Sequence, residues 1–187
     1  MKVLEKFNAI FLGAGIGLLV FAFITLGLIP ALMTRAVTIS DYMPTSIPYQ
    51  LEEHFDTLDE YQAAIYRGKK IYVKEACWHC HSQYVRPVGN EALRYGPVST
   101  VEEYENTLHL PQLFGTRRVG PDLIRQYNKH SVDWQLVHLY NPRDVVPESV
   151  MPGYPWYFND DRTPKPEAID LVAYLMELGR WMDPEAP

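Results

Sequence analysis

The sequence predicts an all-α chain, with a single N-terminal transmembrane helix followed by a small helical domain that is loop-rich in its middle. Three observations predict it: an apolar run near the N-terminus, helical periodicity early and late in the remainder, and a near absence of strand signals. Between Asn8 and Pro30 the chain carries no charge and reads AIFLGAGIGLLVFAFITLGLI. About 20 such residues cross a hydrocarbon core. A cleaved signal peptide is the first alternative, but its apolar region runs only about 7–15 residues before a small-residue cleavage site, and no clear site of that kind follows here. A buried core helix is the second. An uncleaved anchor accounts best for the length, and Gly13 and Gly17 give it a face that another helix could approach closely.

The boundaries follow from composition. Residues 1–36 read as the anchor and residues 37–56 as a linker, because Thr38–Pro48 is polar and contains two prolines. Residues 57–187 read as the folded domain. Thr57-Leu-Asp-Glu60 resembles a capping box and starts a helix whose apolar positions Ile65, Ile71, Tyr72 and Val73 lead to Cys77. Residues 84–165 are rich in proline and glycine and read as loops with short helices, one over Val132–Tyr140. Pro166 opens a last helix, since proline is tolerated at the first helical position. Ile169, Val172, Ala173 and Met176 share one face of it, with Leu171, Leu175 and Leu178 on an adjacent one. Gly179 is a natural stop.

Charge narrows the partners. Beyond the apolar run, over residues 31–187, the chain keeps 15 of its 17 lysines and arginines and 22 of its 23 acidic residues, a formal charge of −7. Such a surface argues against nucleic acid and suits a basic redox partner, although ordinary solubility explains it equally well.

The only two cysteines lie in Cys77-Trp-His-Cys80-His81, the C-x-x-C-H pattern of c-type haem attachment. Two thiols at this spacing reach the two vinyl groups on one porphyrin edge, and the next histidine falls beneath the iron. A structural zinc site would need four ligands and commonly a second close pair, and no second pair of cysteines exists. A redox dithiol belongs near a βαβ pattern, which is missing. One motif implies one covalently attached haem c. Its thiols must be handled outside the reducing cytoplasm. Lys2 and Lys6 precede the span while only Arg35 follows it closely, which mildly favours a cytoplasmic N-terminus. Together these place the domain on the periplasmic, extracytoplasmic face of the inner (cytoplasmic) membrane.

The sixth iron ligand has the candidates Met151, Met176, Met182, His109, His130 and His138. Met176 reads as core, and Met182 follows the last helix. Met151 precedes Pro152, and a residue before proline is pushed into extended geometry, so its side chain can project from a rigid loop. Chemistry favours Met151, with one of the three histidines as the alternative. Gly120-Pro121-Asp122-Leu123 lies between the two ligands, and a carbonyl in that turn could accept from the His81 Nδ1–H and fix the ring; a plain turn is the bland reading.

Several segments together resemble the monohaem cytochrome c subunit of cbb(3)-type cytochrome c oxidases, also called subunit II, CcoO or FixO. They are Gly68–Pro87 with CHSQ-x-x-RP, Arg94–Ser99, Gly115–Leu123, Asp133-Trp134 with His138-Leu139, and Asn141–Trp156 with VPES-x-MP-x-YPW. The likeness runs over residues 65–158. It implies a cytochrome c class I-like domain with a long loop insertion, His81 and Met151 as axial ligands, and Pro121 as the carbonyl partner of His81. It further implies a relay of single electrons to the haem–copper catalytic subunit, where oxygen is reduced. In that family a dihaem cytochrome c subunit is the donor. The chain would then be an electron-transfer subunit and not an enzyme on its own. Residues 84–118, with Arg86, Arg94, Arg117 and Arg118, would form a docking surface for the catalytic subunit; ordinary surface salt bridges are the alternative. Whether calcium sits at a subunit interface is left open. The chain departs from the family at Gly27, Phe114 and Gln126-Tyr127-Asn128. Competing readings are the small cytochrome subunit of a nitric oxide reductase-like complex, an anchored monohaem shuttle, and a haem sensor with an exchangeable sixth site.

Overall fold

In a computed structural model, residues 2–34, 38–115 and 117–183 are described, so Arg35 lies outside the described residues. Helix α1 (Lys2–Ala22) runs through a π-helical stretch, Phe23–Leu28, into α2 (Ile29–Thr34). Pro30 explains the wide turns. Its ring has no N–H and would crowd the carbonyl four residues back, which a π-bulge relieves. Thr25 Oγ1 donates to Phe21 O at 2.8 Å in the same stretch. Lys6–Met33 is a 28-residue candidate membrane span, the one helix among the described residues long and apolar enough to cross a bilayer. At ~1.5 Å per residue it is longer than a ~30 Å hydrocarbon core. Its side chains, Phe11, Leu19 and Leu26 among them, are exposed, as lipid contact would require.

Contacts divide the chain into two units, Met1–Ile39 and Ser40–Pro187. Most of the stretch read as a linker is folded into the second unit. Ser40 bridges to Asn106, a 3-10 turn spans Tyr49–Leu51, and Leu51 and Phe55 are core residues. Apolar burial outweighs the prolines that made this stretch look unattached.

The second unit is organised by α3 (Leu58–Lys74) and α8 (Pro166–Glu177). The side chain of Thr57 accepts from Glu60 N at 3.2 Å, and Glu60 reaches back to the N–H of Asp56 at 3.3 Å, so the capping box closes one residue early. The two helices cross at Gly68, where a Cβ would collide with the carbonyl oxygen of Asp170. Arg67 grips the Asp170 carboxylate through two bonds of 2.6 and 2.7 Å, and Tyr72 packs edge-on against Tyr174 at 5.5 Å. Pro166 starts α8, and Met176 is fully buried in the core. Gly179, at φ +89°, ends the turn where a Cβ would meet Ile124 O at 2.8 Å. The buried Glu177 carboxylate accepts from Tyr42 Oη at 2.5 Å and from Tyr61 Oη, and Arg180 lies 3.3 Å away.

Short helices α4 (Cys77–Cys80), α5 (Glu91–Tyr95) and α6 (Val101–Tyr104) follow α3, and α7 (Val132–Tyr140) packs on α8. The structure is all-helical; among the described residues the only β pairings are two isolated bridges.

Candidate haem site

Ala76 adopts a left-handed conformation (φ +56°) and breaks α3 from α4. A single helical turn then closes, with His79 N–H on Ala76 O at 2.9 Å and His81 N–H on Cys77 O at 2.9 Å. Three residues apart on one turn, Cys77 and Cys80 share a face. His81 leaves the helix with extended backbone.

The His81 ring is fixed from the other half of the site. Its Nδ1 lies 2.9 Å from Pro121 O. A carbonyl only accepts, so Nδ1 carries the proton and Nε2 is left as a bare lone pair. Gly120 lies against the ring, and a Cβ there would overlap the imidazole. Backbone bonds knit the two strands of this turn: Gly120 N–H to Cys80 O (3.0 Å), Leu123 N–H to Ser82 O (2.8 Å) and Arg117 N–H to His79 O (3.1 Å). The buried Asp122 carboxylate accepts from Ser82 Oγ at 2.5 Å, Tyr84 N at 2.9 Å and Ile124 N at 3.0 Å. Burial lowers the pKa of His81, partly offset by Pro121, so the ring is held neutral. Burial also pushes the Cys77 thiol up to about 12.

Met151 arrives on a different scaffold. After α7, Asn141 and Pro142 turn the chain; Asn141 Nδ2 donates to Asp144 at 2.6 Å and Val146 N–H to Pro142 O at 2.9 Å. Met151 is half-buried, packs on the core, and donates its N–H to Ser149 Oγ at 3.2 Å. Tyr154 N–H then bonds Leu139 O at 2.8 Å, and Gly153 approaches Tyr140 O so closely that a Cβ would lie 2.5 Å from it. The Tyr154 hydroxyl neighbours the Cys77 thiol, which, after burial, helps to raise the tyrosine's pKa. The Met151 loop and the cysteine turn are thereby brought together.

The other ligand candidates separate clearly. Met176 is core, and Met182 is exposed on the terminal 3-10 turn. His109 is fully buried, edge-on to Trp181 at 5.0 Å. His130 is exposed and stacks on Trp134 at 3.7 Å, whose opposite face carries His138 at 4.6 Å. Burial, and then the neighbouring His81, push the pKa of His138 down to about 4. The sequence reading did not single out Gly120, Tyr154 or the Ser82–Asp122 bond. A glycine before proline and an aspartate after it were the available signals for two of them.

The donor set suits haem c: two thiols on one turn, an imidazole with a free Nε2, and a thioether on a neighbouring loop. Among the described residues no three His, Cys, Asp or Glu side chains converge as a metal-binding group. The family described as "Cytochrome C oxidase, mono-heme subunit/FixO" matches residues 18–165, more than half of the chain. The chain belongs to this family. No curated protein matches it in direct comparison. Family membership makes it a mono-haem cytochrome c oxidase subunit of the cbb(3) type, acting in respiratory electron transport. Its partner is therefore the catalytic subunit of that oxidase, and its apolar N-terminal helix supports membrane anchoring.

Proposed function

We propose that the chain holds one haem c covalently through Cys77 and Cys80, with His81 and Met151 as axial ligands, and relays single electrons to the haem–copper catalytic subunit. The observation that carries this is the His81 ring, bonded at Nδ1 to Pro121 O and bare at Nε2, one residue after the second thiol. Haem iron supplies the one-electron centre when bound. Pro121 orients the imidazole and raises its basicity. Gly120 leaves room for the ring. Met151 supplies a thioether, which raises the potential relative to a second histidine.

The same reading makes a dihaem cytochrome subunit the donor and puts residues 1–36 in the inner membrane with the N-terminus cytoplasmic. Membrane lipid then surrounds α1, and residues 57–187 form the extracytoplasmic haem domain. The test is spectroscopic. The full-length protein should show a pyridine haemochrome of two thioethers and a Met–iron band, and its reduced form should not bind carbon monoxide. Carbon monoxide binding would point to a sensor. Detergent extraction and mass spectrometry should find the catalytic and dihaem chains co-purifying; recovery of the chain alone would favour an anchored shuttle.

A further inference from the structure

The insertion between Ser82 and Gly120 holds a cleft that the haem site does not use. Its volume is about 310 Å³, and Arg86, Glu91, Arg94, Tyr95, Arg117 and Arg118 line it. At its floor the buried Glu91 carboxylate is clamped from two sides. Arg86 donates through Nε at 2.9 Å and Nη2 at 2.6 Å, and Arg118 pairs with the other oxygen. The Arg118 side chain is only 6% exposed and its backbone is left-handed at φ +52°. It also donates to Tyr84 O and lies 3.6 Å from Asp122, yet its Nε has no partner. The Tyr95 hydroxyl is likewise buried without a partner. Buried donors left unpaired are rare and costly, so two in one cleft call for an acceptor.

The rim supplies charge. Arg94 lies over the Tyr95 ring at 4.9 Å, and neither Arg94 nor Arg117 makes a side-chain hydrogen bond or ion pair among the described residues. Four arginines thus line the cleft with Glu91, two of them bonded to it, in a stretch (residues 31–187) of formal charge −7. Beside the rim Leu93 is 91% exposed and Val88 54%.

We propose that this cleft is a preformed oxyanion site that receives a carboxylate side chain of the oxidase subunit against which this chain docks. The inference rests on the oxidase-subunit reading above. A guanidinium fork recognises carboxylates in two-bond geometry, and Glu91 already sits in such a grip. A second carboxylate at the rim neutralises Arg94 and Arg117, and shifts of the rim side chains on docking bring the sealed Arg118 Nε and Tyr95 Oη within its reach. The exposed Leu93 and Val88 point to a protein and not to a free anion, because apolar anchors next to arginine are what a protein interface buries. On an acidic domain this patch also fixes where an acidic partner can dock, since charge complementarity sets orientation.

The test uses the oxidase complex purified in detergent with the Arg94→Gln/Arg117→Gln double variant, which leaves the Glu91 clamp intact. A salt titration followed by native mass spectrometry reads retention of the partner chains. The dissociating salt concentration should fall by about twofold or more, with haem content, Met–iron band and midpoint potential unchanged. Leu93→Ser should weaken retention at all salt concentrations. An unchanged salt midpoint would overturn the proposal. So would unchanged retention with lost binding to phosphatidylglycerol vesicles, which would assign the cleft to lipid. A shifted haem midpoint in the double variant would instead tie the arginines to the haem. Failure of the haem assignment itself would show in the unaltered protein's spectra, independently of retention.

Discussion

Around His81 the chain is held by polar bonds between segments some 40 positions apart, whereas Met151 is held by its own prolines and the end of one helix. On the His81 side Pro121, Gly120, Asp122 and Ser82 fix one ring from several directions. On the Met151 side the loop is defined by the Met151 N–H bond to the Ser149 hydroxyl, the Tyr154 N–H bond to Leu139 O and the close approach of Gly153 to Tyr140 O, and the thioether itself is placed by packing. If haem is held as proposed, this contrast makes attachment and potential separable. On the proposed ligation, one half would decide whether haem is retained and oriented, and the other would set how readily iron takes an electron.

The largest expected effect breaks the attachment half. Cys77→Ala or Cys80→Ala should lose the normal two-thioether linkage, and an unaltered pyridine haemochrome in either variant would count against the assignment. Met151→Ala comes next: haem should stay covalently bound while the midpoint potential falls and the Met–iron band disappears in a spectroelectrochemical titration. Asp122→Ala strips three hydrogen bonds and one neighbour of Arg118. Chemical denaturation should show a loss of about 3 kcal/mol or more.

A matched pair probes packing on the two sides. Gly120→Ala meets the His81 ring and Gly153→Ala meets Tyr140 O, and each should cost about 1–3 kcal/mol by overpacking. Only Gly120→Ala should also perturb the histidine signals in magnetic resonance of the oxidised protein. Equal perturbation by both would erase the contrast between the halves. Ser149→Ala should be the mildest, about 0.5–1.5 kcal/mol, measured by thermal unfolding with the midpoint potential nearly unmoved.

Local signals were legible wherever one short segment supplied the whole cause. The apolar run before Pro30, the Thr57 cap, the Pro166 start and the Gly179 stop all appear where the residues place them. Met176 falls in the core for the same reason, because the helical period alone assigns its face. The stretch 40–56 misled because its prolines and polar residues outnumber Leu51 and Phe55, the two that anchor it. Asp122 and Glu91 could not be read, since their partners lie far along the chain or across a loop of irregular geometry.

By itself, then, the sequence determined the helical class and the cysteine turn, and it offered the candidate iron ligands, because each of these is carried by residues within a few positions of one another. The Pro121 O contact with His81, to which the Gly120–Leu123 turn and the resemblance already pointed, took its 2.9 Å geometry from the tertiary structure, which alone decided that Tyr154 neighbours Cys77 and that four arginines line the cleft at Glu91. Those last two join residues whose separation along the chain carries no period or motif, so burial and hydrogen bonding select them only once the chain has folded.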